Sequence, residues 1–182
     1  MIKKKTWEAV VPGETTTKGD MGMKSKIGDG RYTTAGDRDI TVFVIGMRIN
    51  NWRAVHKWLP VLLAMPPMIK ELSMHKELGC MGMQSYVQFP ATMMIQYWNS
   101  KEELLAYAQA PKHLKAWRTF NKRTRGNTAV GIYHETYLVP SGAYESIYVN
   151  MPPFGLGKAI GTEPVTKATG TAEERIGQKA KK

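Results

Sequence analysis

The sequence predicts an α+β domain of the ferredoxin-like class, with the order β-α-β-β-α-β and one extra C-terminal strand. The first observation is a pair of β-branched, mostly apolar segments, Ile40–Ile49 and Thr128–Val139. The second is the spacing of two helical segments between the strands. The third is the pattern Ser100-x-x-Glu103, which is typical of a helix capping box. This order of elements places two helices on one face of an antiparallel sheet.

Three parts are expected along the 182 residues. Residues 1–39 are rich in Gly, Thr, Lys and Asp, and they predict an irregular N-terminal arm. Residues 40–157 form the folded domain. Residues 158–182 lack aromatic side chains and predict a flexible basic tail.

The first strand, Ile40–Ile49, is apolar in both of its alternating residue sets, so we expect both of its faces to be buried. Asn51 is the predicted N-cap of the next helix. The pair Pro66-Pro67 is expected to end that helix, and a second helical piece follows over Met68–Leu78. Gly79 is then a suitable C-cap.

The second half of the domain predicts one long helix, which starts at Ser100 and is kinked near Pro111. The last two strands are expected to form a hairpin through the turn at residues 140–142. The strands expected in this half are Met81–Phe89, Thr92–Trp98, Thr128–Val139 and Ala143–Val149.

The net charge of +11 is spread over the arm, the domain and the tail. We find no nucleic-acid-binding motif, so we expect no nucleic-acid partner. The N-terminus lacks the apolar core of a signal peptide, and the longest apolar run, Trp58–Ile69, is too short to span a bilayer. Together with the single cysteine, Cys80, this predicts a cytoplasmic protein with no membrane partner.

His134 is the first candidate for chemistry, because it lies in an apolar strand as either a general base or a ligand. The alternative is a core histidine whose ring is satisfied by a hydrogen bond. The neighbouring Glu135 points to the opposite face of the strand, so the two residues do not share a pocket. A structural ion pair is the simpler expectation for Glu135.

His113 follows Pro111 in the second helical segment, where the proline disturbs the backbone hydrogen bonds. It is a candidate base or axial haem ligand, although the flanking lysines also allow a surface position. Arg48 lies two residues after Gly46 on one face of the first strand. We take it as a candidate for orienting an oxyanion.

Aromatic and methionine side chains are expected to line an apolar pocket, although such residues more often serve ordinary core packing. Methionine is adaptable and suits a malleable apolar cavity. The predicted substrate-binding residues are Trp98, Tyr97, Met47, Met94, Trp117, Phe120 and Tyr137.

Several classes of cofactor site are disfavoured. Residues 41–157 contain six glutamates and no aspartate, which disfavours a carboxylate-rich metal site. One cysteine excludes a multi-cysteine zinc site, and no phosphate-binding loop is present. We therefore expect no cofactor and no metal, with haem as the alternative if His113 is a ligand.

Several segments together resemble the fumagillin-pathway monooxygenase-like family. They are VFVIGMRIN, YWNSKEELLAYAQAPKHLKAW, IYHETY and YVNMPPFGLGKA, and the resemblance covers about residues 30–160. This family belongs to the dimeric α+β barrel superfamily, near the antibiotic-biosynthesis monooxygenases. The resemblance implies a homodimer, a pocket between sheet and helices, and oxidation by O₂ without metal or flavin.

The resemblance also carries expectations for single residues. Trp98 matches a tryptophan that recurs at the end of the strand before the second helix in these monooxygenases. Trp117 falls where the related haem-degrading enzymes carry a ligand histidine, which argues against haem degradation. More distant relatives, the aldoxime dehydratases, carry a haem-ligand histidine in a segment similar to APKH, which points to His113.

Three hypotheses follow. The first is a monooxygenase-like enzyme that oxidises a small apolar or aromatic substrate, with His134 or His113 as base, Arg48 as oxyanion partner and Trp98 packed on the substrate. The second is a haem protein with His113 as ligand, similar to aldoxime dehydratases or to haem-handling proteins. The third is a non-catalytic ligand-binding or stress protein on the same fold.

Overall fold

The computed structural model describes residues 27–126 and 128–179. The strands are β1 (Arg31–Thr34), β2 (Ile40–Ile49), β3 (Cys80–Gln88), β4 (Ala91–Trp98), β5 (Val130–Val139), β6 (Tyr148–Val149) and β7 (Thr162–Pro164). The helices are α1 (Val55–Leu62), α2 (Met65–Met74), α3 (Lys101–Gln109), α4 (Pro111–Thr124), α5 (Leu156–Ile160) and α6 (Ala172–Lys179).

The main sheet is antiparallel and has the strand order β3-β4-β2-β5. With α1 and α2 after β2, and α3 and α4 after β4, the predicted ferredoxin-like α+β fold is confirmed. The register aligns Ile45 with Met94 on one side and with His134 on the other. The side chains of these three residues therefore share the face that carries the helices.

The first helix begins at Val55, later than the sequence predicts. The Asn51 side chain accepts a hydrogen bond from the backbone N–H of Arg53 at 3.1 Å, so it caps a turn that precedes the helix. Pro66 and Pro67 lie in the first turn of α2, so they begin this helix and do not end the previous one. Proline is tolerated there because first-turn N–H groups have no partner within the helix.

The helical segment predicted as one kinked helix is two helices. Ser100 caps α3 as predicted, because its Oγ accepts a hydrogen bond from the backbone N–H of Glu103 at 3.2 Å. Ala110 is extended, with φ −60° and ψ 144°, and Pro111 opens α4. A residue that precedes proline avoids the helical region, which explains the break.

The predicted hairpin between β5 and the last strand is wrong. β6 spans Tyr148–Val149 and pairs with β1 in a second, smaller sheet of order β6-β1-β7. The carboxylates of Asp37 and Asp39 accept hydrogen bonds from the backbone N–H groups of Gly142 and Ser141, each at 2.8 Å. These contacts hold the chain after β5 against the segment that follows β1, away from β5 itself.

The described end regions are folded, in contrast to the expected arm and tail. β1 lies within the predicted arm, while residues 1–26 are outside the described residues. The predicted flexible tail contains β7 and α6. Its Arg175 is only 4% exposed, and its Nε atom lies 2.8 Å from Glu145 Oε2. A long-range ion pair of this kind has no local sequence signature.

The core is divided between two clusters on the helix side of the main sheet. One surrounds Trp98 and Leu72, and the other surrounds Met47 and Val61. In the described part of the chain, no helix combines the length and apolar character needed to cross a membrane.

Candidate functional site

A cavity of about 870 Å³ lies between the main sheet and helices α1 to α4. Most of its lining is apolar, and its volume falls in the range of small-molecule sites. The position agrees with the pocket between sheet and helices that the sequence predicts. Its polar groups are few, so each of them is a candidate for orienting or activating a ligand.

The sheet forms one wall of the cavity. From β2 it contributes Phe43, Ile45 and Met47, and from β5 it contributes His134 and Thr136 among others. These residues alternate along their strands, and the pairing of Ile45 with His134 brings both sets onto one face.

Helix α4 forms the opposite wall with His113, Trp117 and Phe120. The spacing of four and three residues places these side chains on one face of the helix. The rings of Trp117 and Phe120 stack with their centroids 5.5 Å apart. Five of the predicted site residues therefore line one cavity, namely His113, His134, Met47, Trp117 and Phe120.

The tautomer of His113 follows from its hydrogen bond. Its Nδ1 atom lies 3.0 Å from the carbonyl oxygen of Ala108. A carbonyl oxygen only accepts hydrogen bonds, so Nδ1 carries the proton. In the neutral ring, the lone pair is then on Nε2, which is the atom available as a base or as a metal ligand.

His134 reaches the cavity from β5, at the edge of the sheet. Its ring packs against Phe43 with centroids 5.7 Å apart. No hydrogen bond to its imidazole is found among the residues that the structure describes. A core histidine satisfied by a protein hydrogen bond is therefore not what this position contains, and the ring is free to meet a ligand.

A second cavity of about 60 Å³ adjoins the first, and it contains Met94, the sixth predicted residue on this face. Gln96 bridges its neighbours here: its Nε2 donates to Met94 Sδ at 3.2 Å, and its Oε1 accepts from Trp98 Nε1 at 3.0 Å. Tyr107 also lines this cavity. Burial, with smaller effects of Glu71 and Cys80, raises the pKa of the Tyr107 phenol to about 12.

Trp98 does not line either cavity, contrary to the sequence-based expectation. It is fully buried and packs on Tyr107 with ring centroids 5.5 Å apart. Leu72, Leu104 and Tyr107 pack with Trp98 and line the cavities, so Trp98 packs against lining residues and is not one of them. A direct contact between Trp98 and a ligand is therefore excluded in this conformation.

Arg48, Tyr97 and Tyr137 are also placed away from the cavity, because all three lie on the opposite face of the sheet. Arg48 is exposed and donates to Asn50 Oδ1 at 2.9 Å. The Tyr137 hydroxyl donates to Glu135 Oε2 at 2.5 Å. Glu135 thus has a tyrosine partner in place of the expected ion pair.

Several lining residues were missed by the sequence analysis, and they come mainly from α2 and α3. Glu71 is a charged residue among them, and its Oε1 lies 2.8 Å from the Nζ atom of Lys112, another lining residue. This ion pair joins α2 to α4 at the cavity rim. Its two residues are 41 positions apart in the chain, so no local pattern reveals the pair.

Residues 40–156 match the model of a family described as Monooxygenase af470-like. The chain belongs to this family. The resemblance expected from the sequence is therefore confirmed, and the matched region contains both cavities with β2 to β5 and α1 to α4.

One curated relative of this Monooxygenase af470-like chain is the Monooxygenase af470 of Aspergillus fumigatus. The two are 34% identical over 86 residues, which is 47% of this chain and 30% of the relative. The chain thus spans less than a third of that protein's length.

Two solved structures share the fold of this family member. A crystal structure of aldoxime dehydratase OxdRE in complex with butyraldoxime has a TM-score of 0.60 and 19% identity, covering 72% of this chain and 42% of that one. A second aldoxime dehydratase structure has a TM-score of 0.60 and 22% identity, covering 72% and 40%. At these identities the likeness concerns the fold alone.

Within the described ranges, no group of three or more His, Cys, Asp or Glu side chains is placed to hold a metal ion. His113 and His134 enter the cavity singly, from different walls. The site therefore offers isolated imidazoles in an apolar chamber.

Proposed function

We propose that this chain is a monooxygenase-type enzyme that oxidises a small apolar or aromatic molecule held in the 870 Å³ cavity. The observation that supports the proposal is the placement of two imidazoles, His113 on α4 and His134 on β5, on opposite walls of this apolar chamber. The family of the chain supports the same class of reaction.

The proposed reaction requires a substrate with an acidified C–H bond, such as a methylene group flanked by carbonyl or aryl groups. An imidazole of His134 or His113 removes the proton, and the resulting carbanion passes electrons to O₂. Conversion of CH₂ to C=O then uses both atoms of O₂, with one retained by the substrate and the other released as water. The apolar lining holds the substrate through its apolar surface.

The four histidines of the chain provide a matched test. A His113→Ala, His134→Ala double variant is expected to lose about 10²- to 10⁴-fold in turnover of an accepted substrate, as is typical for removal of a general base. A His56→Ala, His75→Ala double variant is the control, because neither residue lines the cavity. Oxygen consumption reports the turnover.

Equal turnover in the two double variants would remove both cavity histidines from the mechanism. Saturable binding of an apolar ligand with no oxygen consumption by the wild-type chain would instead identify a non-catalytic binding protein. The single variants, compared at several pH values, separate the contributions of His113 and His134.

A second candidate function is a haem protein in which His113 would bind the iron. The specific observation in its favour is the hydrogen bond from His113 Nδ1 to the Ala108 carbonyl, because metal-ligating histidines commonly bind a backbone carbonyl with the other ring nitrogen. The size and apolar lining of the cavity also fit a flat macrocycle. When bound, haem supplies an iron centre that activates oxygen or polarises a substrate's N–O bond.

The absorption spectrum of the purified chain separates the two candidates. A Soret band, or its appearance on titration with hemin, that is lost in His113→Ala but kept in His75→Ala supports haem ligation. Turnover of a substrate by protein without a Soret band supports the cofactor-independent reaction.

The outer face of the main sheet is proposed to pack against a second copy of the chain. Helices α1 to α4 lie on the other face of the sheet, and on the outer face α5 contacts β3. Beside β2, the outer face exposes Tyr133 and Tyr137 of β5, which are 39% and 50% accessible. Sedimentation velocity is expected to detect a dimer that Tyr133→Lys dissociates. Leu138→Lys, on the other face of the same strand, is the control. A wild-type monomer at micromolar concentration would contradict the proposal.

A further inference from the structure

The positive charge of the chain is concentrated in two segments. Residues 40–70 contain four Lys or Arg and no Asp or Glu, and residues 104–134 contain six and none. These two segments hold +10 of the formal net charge of +11. The remainder of the chain is therefore close to neutral.

The two basic segments include α1 and α4, and both helices line the cavity. Trp58 and Leu62 of α1 and Phe120 of α4 pack against the same buried core cluster. The cations Arg53, Lys57, Lys115, Arg118 and Lys122 are all exposed. The basic surface therefore lies on the helices that form the cavity walls.

Helix α1 and the residues at its two ends also carry an exposed apolar stripe. The exposed fractions are 63% for Trp52, 43% for Val55, 36% for Leu59 and 60% for Leu63. Val55, Leu59 and Leu63 follow one another at intervals of four residues, so they lie along one side of the helix. Such a stripe costs free energy in water unless a partner covers it.

We propose that the exposed sides of α1 and α4 dock the protein on an anionic lipid surface, with the apolar stripe in the interface. Cations attract such a surface, and a tryptophan next to aliphatic side chains is suited to the boundary between headgroups and acyl chains. The guanidinium carbon of Arg53 lies 5.5 Å from the centroid of the Trp52 ring, so a positive charge and an aromatic ring lie side by side at the start of the stripe.

The aliphatic stripe is what favours lipid over other anionic partners. A nucleic acid is bound by cations and by aromatic stacking, and exposed leucines contribute nothing to phosphate contacts. Docking on lipid also places the walls of the cavity beside the phase in which an apolar ligand is concentrated. This revises the sequence-based expectation of no membrane partner, which considered only membrane-spanning segments.

Co-sedimentation of the full chain with vesicles tests the proposal, and this assay requires no catalytic turnover. The docking proposal can therefore fail or succeed independently of the proposed reaction. We expect binding to vesicles of phosphatidylcholine mixed with phosphatidylserine, weaker binding to phosphatidylcholine alone, and a decrease with added salt. Arg53→Gln, Lys57→Gln is expected to lower the partition coefficient by about fivefold per cation removed. Trp52→Ser, Leu63→Ser is expected to lower it at least as much.

Matched controls lie on the small sheet and the C-terminal segment. Val149→Ser removes an apolar residue that is 51% exposed, and Lys158→Gln, Lys167→Gln removes two exposed cations. Both controls are expected to bind vesicles as the wild type does. Circular dichroism verifies that all variants are folded.

Three results would overturn the proposal. They are equal binding of the α1 variants and the controls, binding to an oligonucleotide that exceeds binding to the anionic vesicles, and a change in oligomeric state on Trp52→Ser, Leu63→Ser without loss of vesicle binding. The second would assign the surface to nucleic acid, and the third would assign it to another copy of the chain.

Discussion

Arg175 and Glu145 form an ion pair that holds the C-terminal segment on the body of the protein. Arg175 Nε lies 2.8 Å from Glu145 Oε2, and Arg175 Nη1 donates to the carbonyl oxygens of Thr169 and Gly170 at 3.0 and 3.2 Å. The Arg175 side chain is 5% exposed and that of Glu145 is 28% exposed. One guanidinium thus satisfies three acceptors on two segments that are distant in sequence.

Arg175→Ala is expected to lower the free energy of unfolding by about 2 to 4 kcal/mol, because it leaves Glu145 and the Thr169 carbonyl without this partner. The Gly170 carbonyl keeps its hydrogen bond from Arg31 Nη2 at 2.9 Å. The measurement is urea denaturation, accompanied by limited proteolysis of the C-terminal segment. Lys167→Ala removes an exposed cation of the same segment and serves as control. Equal stability of both variants would mean that the ion pair contributes nothing.

Gly46 is expected to be the least replaceable residue of β2. A Cβ atom at this position would meet the carbonyl oxygen of Thr92 and approach the Tyr133 ring to 2.7 Å. Gly46→Ala should therefore cost about 2 to 3 kcal/mol through displacement of β4 and the Tyr133 ring. Gly131→Ala is a matched control on β5, because its Cβ would meet only Asn50 Nδ2 at 3.7 Å.

Thermal unfolding of the two glycine variants decides this prediction. A decrease in melting temperature for Gly46→Ala that is no larger than the decrease for Gly131→Ala would show that the sheet accommodates a methyl group there.

The Glu71–Lys112 pair is expected to affect ligand release more than stability. Lys112 is 81% exposed and Glu71 is 21% exposed, so Glu71→Gln should change the free energy of unfolding by less than about 1 kcal/mol. Loss of the link between α2 and α4 should nevertheless speed the dissociation of a neutral fluorescent probe, N-phenyl-naphthylamine, from the cavity. Stopped-flow fluorescence measures this rate.

Glu102→Gln is the control for this change, because it breaks the ion pair between Lys101 and Glu102 on α3. Neither residue of this pair lines the cavity. If probe dissociation is equally fast in the wild type and in Glu71→Gln, the ion pair does not restrain the rim.

The raised pKa of Tyr107 is expected to make the free energy of unfolding depend on pH in the alkaline range. Burial raises its pKa from 10.0 to about 12 in the folded chain. Between these values the unfolded chain loses the phenol proton while the folded chain retains it, so the free energy of unfolding falls as pH rises through this window. Below pH 10 both states are protonated and this contribution is complete.

Tyr107→Phe is expected to remove the part of the alkaline decrease that this phenol causes. At neutral pH the variant should be as stable as the wild type, or more stable by about 1 kcal/mol, because the buried hydroxyl has no hydrogen-bond partner among the described residues. Urea denaturation at a series of pH values measures both effects. An unchanged alkaline decrease would assign it to other groups.

Local sequence patterns were sufficient for the main elements. The β-branched run at Ile40–Ile49 and the cap at Ser100 predict β2 and α3, because strand alternation and helix capping depend on neighbouring residues. The helical spacing of His113, Trp117 and Phe120 likewise places these residues on one face. These properties, with the family resemblance, were sufficient for the fold class.

The face of the sheet on which each strand side chain lies could be assigned only from the register between neighbouring strands. Alternation alone sorts β2 into an Ile45 set and an Arg48 set, and β5 into a His134 set and a Tyr137 set. It does not say which sets share a face. The pairing of Ile45 with His134 decides this, and it sends Arg48 and Tyr137 to the face opposite the cavity.

The sequence by itself determined the order of the main-sheet strands and of the helical segments between them, the helix face that lines the cavity and the family of the chain. The tertiary structure alone decided that Trp98 is covered by Leu72 and Tyr107 and that α6 is held by Arg175. The physical reason is the separation along the chain over which each interaction acts. Helix caps and strand alternation act between close neighbours in the chain, whereas burial, ion pairing and charge clustering depend on residues brought together from distant positions.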